Sequence, residues 1–156
     1  MKRFLGVYGL ALLLGCYLPV QADAATEEER AQAFACGATG KCQLPYNHPL
    51  VQQTRNDIAE VERACESTNK SLNSVPDRFG FARAYLDQYQ NLGVLFKDFR
   101  PITEKHCASF SLDEMLNAYV LERNSKATHS ATIASLLANP KVLLKKWKGK
   151  KARGNN

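Results

Sequence analysis

Cysteine is the residue type in this sequence with the clearest capacity for chemistry. The chain holds five cysteines: Cys16, Cys36, Cys42, Cys65 and Cys107. Redox sites normally use Cys-x-x-Cys, in which the second sulfur resolves the first, whereas Cys36 and Cys42 have five residues between them. Structural zinc sites also present closely spaced ligand pairs. The spacing therefore predicts disulfide bonds and no metal site.

Histidine occurs three times, as His48, His106 and His129. A covalent haem site would need Cys-x-x-Cys-His, but here the order is His106-Cys107, without the first cysteine. A non-covalent haem would need an axial pair such as Met115 with a histidine, and most chains of this length contain such residues. The sequence therefore predicts no cofactor.

Catalytic motifs are also missing from the sequence. His106 and Cys107 are neighbours, so on a helix they point in different directions, and a disulfide-bonded cysteine has no thiolate. The chain contains no Gly-x-Ser-x-Gly, no His-Glu-x-x-His and no phosphate-binding glycine loop. Carboxylate pairs such as Asp113-Glu114 are explained by helix capping. We therefore expect no catalytic residues; the sequence favours a non-enzymatic protein and leaves an enzyme as the alternative.

The first 24 residues have the parts of a secretory signal peptide in order. Met1-Lys2-Arg3 is positive, residues 4–14 are apolar, and Ala22-Asp23-Ala24 is a small-x-small cleavage signal. The apolar run is shorter than the ~20 residues that span a bilayer. We expect cleavage near Ala24, a bacterial source, and a mature chain of residues 25–156 that is periplasmic or secreted.

A second processing route is open at Cys16. Leu13-Leu14-Gly15-Cys16 matches a bacterial lipoprotein box, in which the cysteine is acylated and becomes the N-terminus. The segment 17–20 stays apolar, and the Ala24 site lies just downstream. Cleavage after Ala24 is therefore the favoured route, and a lipoprotein anchored at Cys16 is the alternative.

Either route leaves four cysteines to form disulfides. An even number in an exported chain predicts two bridges among Cys36, Cys42, Cys65 and Cys107, with three possible connectivities. We expect the first helix and its loop to be tied to Cys65 in the second helix and to the segment 100–110.

Capping signals and helical periodicity organise the mature chain. Capping boxes at Thr26–Glu29 and Ser111–Glu114 start two helices, and Asn139-Pro140 starts the last. The first helix is expected to end at Gly37. Apolar steps of three and four predict a helix after Pro49.

A third helix is predicted to begin at Asp77 and to stop at Arg100-Pro101. Its apolar stripe includes Tyr85, Tyr89 and Phe96, which we assign to the core and not to a ligand groove. A short segment, 130–138, follows the helix that Ser111 starts. The sequence shows no hairpin pattern. The predicted fold is all-α: a small bundle of four to five helices with two disulfides, spanning residues 25–140.

Basic residues are concentrated in the C-terminal segment 141–156. This segment carries seven positive charges and no acid, whereas residues 25–140 carry 12 positive and 14 negative charges. We predict that it is a tail, disordered from residue 149, whose basic residues and tryptophan bind an anionic surface. The predicted binding residues are Lys141, Lys145, Lys146, Trp147, Lys148, Lys150, Lys151 and Arg153. The alternative is a solvated terminus in which Trp147 caps the core.

These features favour a binding function over a reaction. The first hypothesis is an exported, non-enzymatic interaction module of the bacterial cell envelope, as a secretion or transfer-machine accessory or an effector-neutralising partner. Its partner would be an envelope or secreted protein. The second is a cationic protein that docks on or acts on membranes through its tail; nucleic acid is disfavoured by export. The third is a small secreted hydrolase, which would need a His, an Asp and a Ser or Tyr converging in a cleft.

Overall fold

The computed structural model describes residues 26–40, 44–68 and 73–153, with side chains through residue 149. Within these residues the chain is helical and contains no strand, so the all-α prediction is confirmed. None of the described helices has the length and apolarity needed to cross a lipid bilayer. The helices are α1 (Glu27–Thr39), α2 (Pro49–Cys65), a 3-10 turn (Glu66–Thr68), α3 (Val75–Ala84), α4 (Leu92–His106), α5 (Leu112–Asn124), α6 (His129–Ala138) and α7 (Pro140–Arg153).

The prediction of four to five helices is wrong, chiefly because the expected third helix is two helices. A loop, residues 85–91, separates α3 from α4, and the side chain of Asn91 caps α4 by accepting the N–H of Val94 at 3.1 Å. The predicted stop at Pro101 is also wrong, since α4 continues past it. Pro101 and Lys97 are both exposed, so the Lys97 carbonyl, which loses its N–H partner at the proline, can bind water.

Both predicted capping boxes are present. At Thr26–Glu29 and at Ser111–Glu114, the hydroxyl accepts a backbone N–H and the carboxylate accepts the N–H of the capping residue. The predicted end of α1 at Gly37 is wrong. The helix continues to a left-handed Gly40 with φ of 70°, whose N–H donates to the carbonyl of Cys36 at 2.8 Å. Gly37 instead lies where α1 crosses α4.

A chain of aromatic rings runs through the core. The rings of Phe34, Phe79, Phe96, Phe99 and Tyr119 meet edge to face, with centroids 5.0 to 6.2 Å apart. They come from α1, α3, α4 and α5, and all five side chains are buried. Edge-to-face contact matches the positive rim of one ring to the negative face of the next. These rings therefore join four helices in one core.

Of the two predicted disulfides, the described residues show one, Cys65–Cys107. It joins the end of α2 to the end of α4, and both cysteines are buried. The expected tie of the first helix to these two cysteines is therefore wrong. Cys36 is buried in α1, and Cys42 lies outside the described residues, so a second bridge stays a prediction.

The basic segment forms α7, which packs on α5. Leu143 and Leu144 are buried in the core, and Trp147 is partly buried against it. The predicted start at Asn139-Pro140 is confirmed, since the Asn139 side chain accepts the N–H of Lys141 at 3.2 Å. The prediction of disorder from residue 149 is wrong as far as Arg153, and residues 154–156 lie outside the described residues.

Candidate functional site

Three aromatic side chains stand exposed around the end of α3. Phe81 is 54% exposed, Tyr85 is 73% exposed and Tyr89 is 77% exposed. We call these three residues the aromatic face. The assignment of Tyr85 and Tyr89 to the core was wrong, because the helix that would have turned them inward ends at Ala84. The side chains of the aromatic face instead meet solvent at considerable hydrophobic cost.

The C-terminal end of α5 holds the loop that carries Tyr85 and Tyr89 of the aromatic face. The side-chain amide of Asn124 donates to the carbonyl of Tyr85 at 2.8 Å, and its oxygen accepts the N–H of Asp87 at 3.0 Å. Arg123 donates to the side chain of Gln88 at 3.2 Å. The guanidinium of Arg83 lies 5.2 Å from the centre of the Tyr89 ring, within range of a cation–π contact. The loop is thus fixed by hydrogen bonds before any partner arrives.

A cleft of about 170 Å³ opens between α3 and α5, and Phe81 and Tyr85 belong to its lining. We call it the α3–α5 cleft. Its walls combine apolar and aromatic side chains with four polar or charged ones, a mixture typical of recognition sites. The lining residues are Asn73, Arg78, Phe81, Ala82, Tyr85, Asp113, Leu116, Asn117 and Val120.

Two charged groups of the α3–α5 cleft differ in their access to solvent. The side chain of Arg78 is 2% exposed, and its Nε donates to the carbonyl of Asn73 at 2.9 Å. The side chain of Asp113 is 42% exposed, and its Oδ2 lies 3.8 Å from Nη1 of Arg78. The carboxylate is therefore the more accessible of the two charged groups that line the cleft.

A broader apolar groove of about 650 Å³ borders Phe81 from the other side. It lies between α1 and α3, and Phe34, Pro76 and Leu92 supply apolar lining. Arg30 bridges the two helices here, with Nη1 2.7 Å from Oγ of Ser74 and 3.5 Å from a carboxylate oxygen of Asp77. The aromatic face is therefore flanked by two concave surfaces.

A hydrogen-bonded chain of Asp98, His129 and Tyr119 joins α4, α6 and α5. Nε2 of His129 lies 2.9 Å from a carboxylate oxygen of Asp98, and its Nδ1 lies 2.7 Å from the hydroxyl of Tyr119. These are the residue types that the hydrolase hypothesis requires. The side chain of Tyr119 is fully buried, however, and burial raises the pKa of its hydroxyl to about 12. The tyrosine is therefore neither accessible nor activated as a nucleophile.

The other two histidines contact backbone groups. Nδ1 of His48 accepts the N–H of Leu50 at 3.2 Å and caps α2, whereas Nε2 of His106 lies 2.9 Å from the carbonyl oxygen of Leu137. Met115 is buried in the core, away from solvent. Among the described residues, no group of three or more His, Cys, Asp or Glu side chains is arranged to hold a metal ion.

The predicted anionic-surface residues divide into two sets. Lys146 and Lys148 pair with the carboxylates of Glu122 and Glu114 on α5, at 2.5 and 2.9 Å. The hydrogen bond from Lys148 holds the pKa of Glu114 below its usual value. Lys141 and Lys145 are exposed, and the side chains of Lys150, Lys151 and Arg153 lie outside the described ones. Lys146 and Lys148 thus hold α7 against α5 through ion pairs.

No protein-family model matches the chain, and no curated protein or solved structure is significantly similar to it.

Proposed function

We propose that this chain is an exported, non-enzymatic protein-binding module of the bacterial cell envelope, which binds its partner through the aromatic face. The observation that carries the proposal is the exposure of Phe81, Tyr85 and Tyr89 beside two concave surfaces. A secretion or transfer-machine accessory and an effector-neutralising partner both fit this description.

The energetics of aromatic side chains support a binding role. Tyrosine and phenylalanine are enriched in the buried centres of protein interfaces, where each covers roughly 150–250 Å². A few such residues carry most of the binding energy of an interface. Because hydrogen bonds from Asn124 and Arg123 already order the loop, a partner has less conformational entropy to remove on binding.

The test is affinity capture from native envelope extract with residues 25–156 as bait. The double variant Tyr85→Ala/Tyr89→Ala removes two thirds of the aromatic face, and Tyr46→Ala is the matched control, since Tyr46 is 47% exposed elsewhere on the surface. We expect one protein, identified by mass spectrometry, to bind the wild type and the control at least tenfold more tightly than the double variant. Equal binding by all three baits would refute the aromatic face as the docking site.

Export is part of the proposal, and its support is the signal-like order of residues 1–24. Intact mass of the protein purified from the envelope tests it. A chain that begins at Ala25 is expected. A chain that begins at an acylated Cys16 would instead establish the lipoprotein route, and an intact Met1 would refute export processing.

A membrane-docking function is the second candidate, and the surface of α7 favours it. Val142 is 63% exposed between Lys141 and Lys145, so an apolar side chain and two cations share the surface of α7. Truncation at Pro140 is a poor test because it removes the buried Leu143 and Leu144. We would compare the wild type with Lys141→Gln/Val142→Ser/Lys145→Gln on vesicles with and without anionic lipid. Binding only to anionic vesicles, and lost in the variant, would support membrane docking.

A further inference from the structure

We infer that the α3–α5 cleft receives an arginine side chain from the partner protein. This inference rests on the proposed function and specifies the chemistry of the partner at one point. It follows from three properties of the cleft: its accessible charge, its aromatic wall and its size.

The accessible charge of the cleft is negative. Both Asp113 and Arg78 line the cleft, but the side chain of Asp113 is 42% exposed and that of Arg78 only 2%, so a guest has far more access to the carboxylate. The distance of 3.8 Å between Asp113 and Arg78 exceeds a hydrogen bond. No hydrogen bond to the Asp113 carboxylate is formed by the side chains that the structure describes, so the carboxylate is open to a donor from a partner.

The aromatic wall favours a guanidinium over an ammonium group. Phe81 and Tyr85 line the cleft on the side of α3, and a planar guanidinium stacks on such rings while donating to a carboxylate. The neighbouring surface already shows this contact within the chain, since the guanidinium of Arg83 lies 5.2 Å from the centre of the Tyr89 ring. The cleft offers the same aromatic chemistry together with a carboxylate.

The side-chain amide of Asn117 offers a second hydrogen-bond acceptor in the cleft, beside the carboxylate of Asp113. The side-chain nitrogen of Asn117 donates to the backbone carbonyl of Asp113 at 2.8 Å, which leaves its side-chain oxygen to accept. An arginine guanidinium has five N–H donors and no acceptor, so it matches a site that offers oxygens.

The size of the cleft fits one side chain. Pockets for small-molecule ligands usually enclose about 300–1,000 Å³, and this cleft encloses about 170 Å³. A side chain that is presented by a protein does not need a larger enclosure, because the surrounding interface supplies the remaining contacts. The cleft is therefore an anchor point within the proposed interface.

The direct test is an NMR titration of the isotope-labelled mature protein with N-acetyl-L-arginine N-methylamide. The citrulline analogue is the control, because it has the same shape without the charge. We expect saturable shift changes at Phe81, Tyr85, Asp113 and Asn117 with the arginine probe and at least fivefold weaker binding of the citrulline probe. Equal binding of both probes, or no shift changes at these residues, would overturn the inference.

Two variants assign the binding to Asp113. Asp113→Asn removes the negative charge. Asn117→Lys keeps the carboxylate of Asp113 but places an ammonium group one helical turn away from it. Each variant is expected to weaken arginine binding at least fivefold. Glu62→Gln, at an exposed position on α2, is the matched control and should bind like the wild type. Arginine binding that survives Asn117→Lys would contradict the inference even if Asp113→Asn folded poorly.

The same variants separate this inference from the proposed function. In the affinity capture, Asp113→Asn and Asn117→Lys should each weaken binding of the partner at least tenfold, which is the effect expected of the aromatic double variant. Loss of the partner in the aromatic variant alone would leave the proposed function standing and refute the arginine anchor.

Discussion

The hydroxyl of Tyr119 is a titratable group that the fold keeps away from solvent. It lies 2.7 Å from Nδ1 of His129, and the tyrosine side chain is fully buried. Burial favours the neutral form and raises the pKa of the hydroxyl to about 12, although the nearby Arg123 opposes the shift. The residue therefore links fold stability to pH in the alkaline range.

The stability contribution of Tyr119 should be lost at high pH. Below pH 10 the hydroxyl is protonated in both the folded and the unfolded state. Between pH 10 and about pH 12 only the unfolded chain releases this proton, so the free energy of unfolding falls, by about 2 to 3 kcal/mol in total. Tyr119→Phe lacks the proton and should lose less stability over this range, as measured by urea unfolding at several pH values.

Tyr85→Phe is the matched control for this measurement, because Tyr85 is 73% exposed. Its stability should follow the pH dependence of the wild type. If Tyr119→Phe and Tyr85→Phe lose stability equally between pH 10 and pH 12, the buried hydroxyl is not the group responsible.

The two helix starts that carry a capping box were predictable from the sequence, since a capping box is local, whereas the start predicted at Asp77 was wrong because Ser74 caps α3. The Thr26–Glu29 and Ser111–Glu114 boxes each place both hydrogen bonds within four residues. The break between α3 and α4 was missed because apolar residues at helical spacing continue through the loop at Tyr85 and Tyr89. The Asn91 cap was a visible signal for that break.

The crossing of α1 and α4 depends on a glycine whose role is invisible in the sequence. A Cβ added at Gly93 would overlap the carbonyl oxygen of Phe34 and the backbone nitrogen of Ala38. These are backbone atoms and cannot rotate away, so the two helices would have to separate. The close approach also brings Gly37 against Gly93.

Gly93→Ala should therefore destabilise the protein by about 3 kcal/mol or more, because the packed helices cannot absorb the methyl group. Gly80→Ala is the matched control: a Cβ there meets no atom within 4 Å, and alanine should raise stability by roughly 0.5–1 kcal/mol in this helix. Thermal and urea unfolding of both variants check this prediction. Equal stability of the two variants would contradict the close crossing.

At the scale of the whole molecule, the uneven distribution of charge along the chain was predictable from the sequence, but the ion pairs that these charges form were not. Residues 141–156 are basic and residues 25–140 are slightly acidic. The structure pairs Lys146 with Glu122 and Lys148 with Glu114, across 24 and 34 residues of chain. Contacts of this range depend on how the helices pack, and a single sequence does not contain that information. The aromatic face and the α3–α5 cleft were missed for the same reason.

Disulfide pairing is the remaining whole-molecule property that a single sequence left open. Cys65–Cys107 closes a loop of 42 residues and fastens α2 to α4, where the hydroxyl of Thr68 also donates to the carbonyl of Cys107 at 2.7 Å. With these two cysteines paired, the second bridge predicted for the mature chain would join Cys36 to Cys42, which are six positions apart. The observed bridge and the predicted one would therefore close loops of very different length.

Removing each bridge should have an unequal effect on stability. If a bridge acts by restricting the unfolded chain, the 42-residue loop is worth roughly 4 kcal/mol and a six-residue loop roughly 2 kcal/mol. We expect Cys65→Ala/Cys107→Ala to lower the urea-unfolding free energy by about 2 kcal/mol more than Cys36→Ala/Cys42→Ala, because entropy grows with the logarithm of loop length. Non-reducing peptide mapping of the wild type provides the control, with Cys65 and Cys107 recovered in one linked pair. A peptide that links Cys36 to either of them would contradict the connectivity, and equal losses in the two double variants would contradict the entropic account.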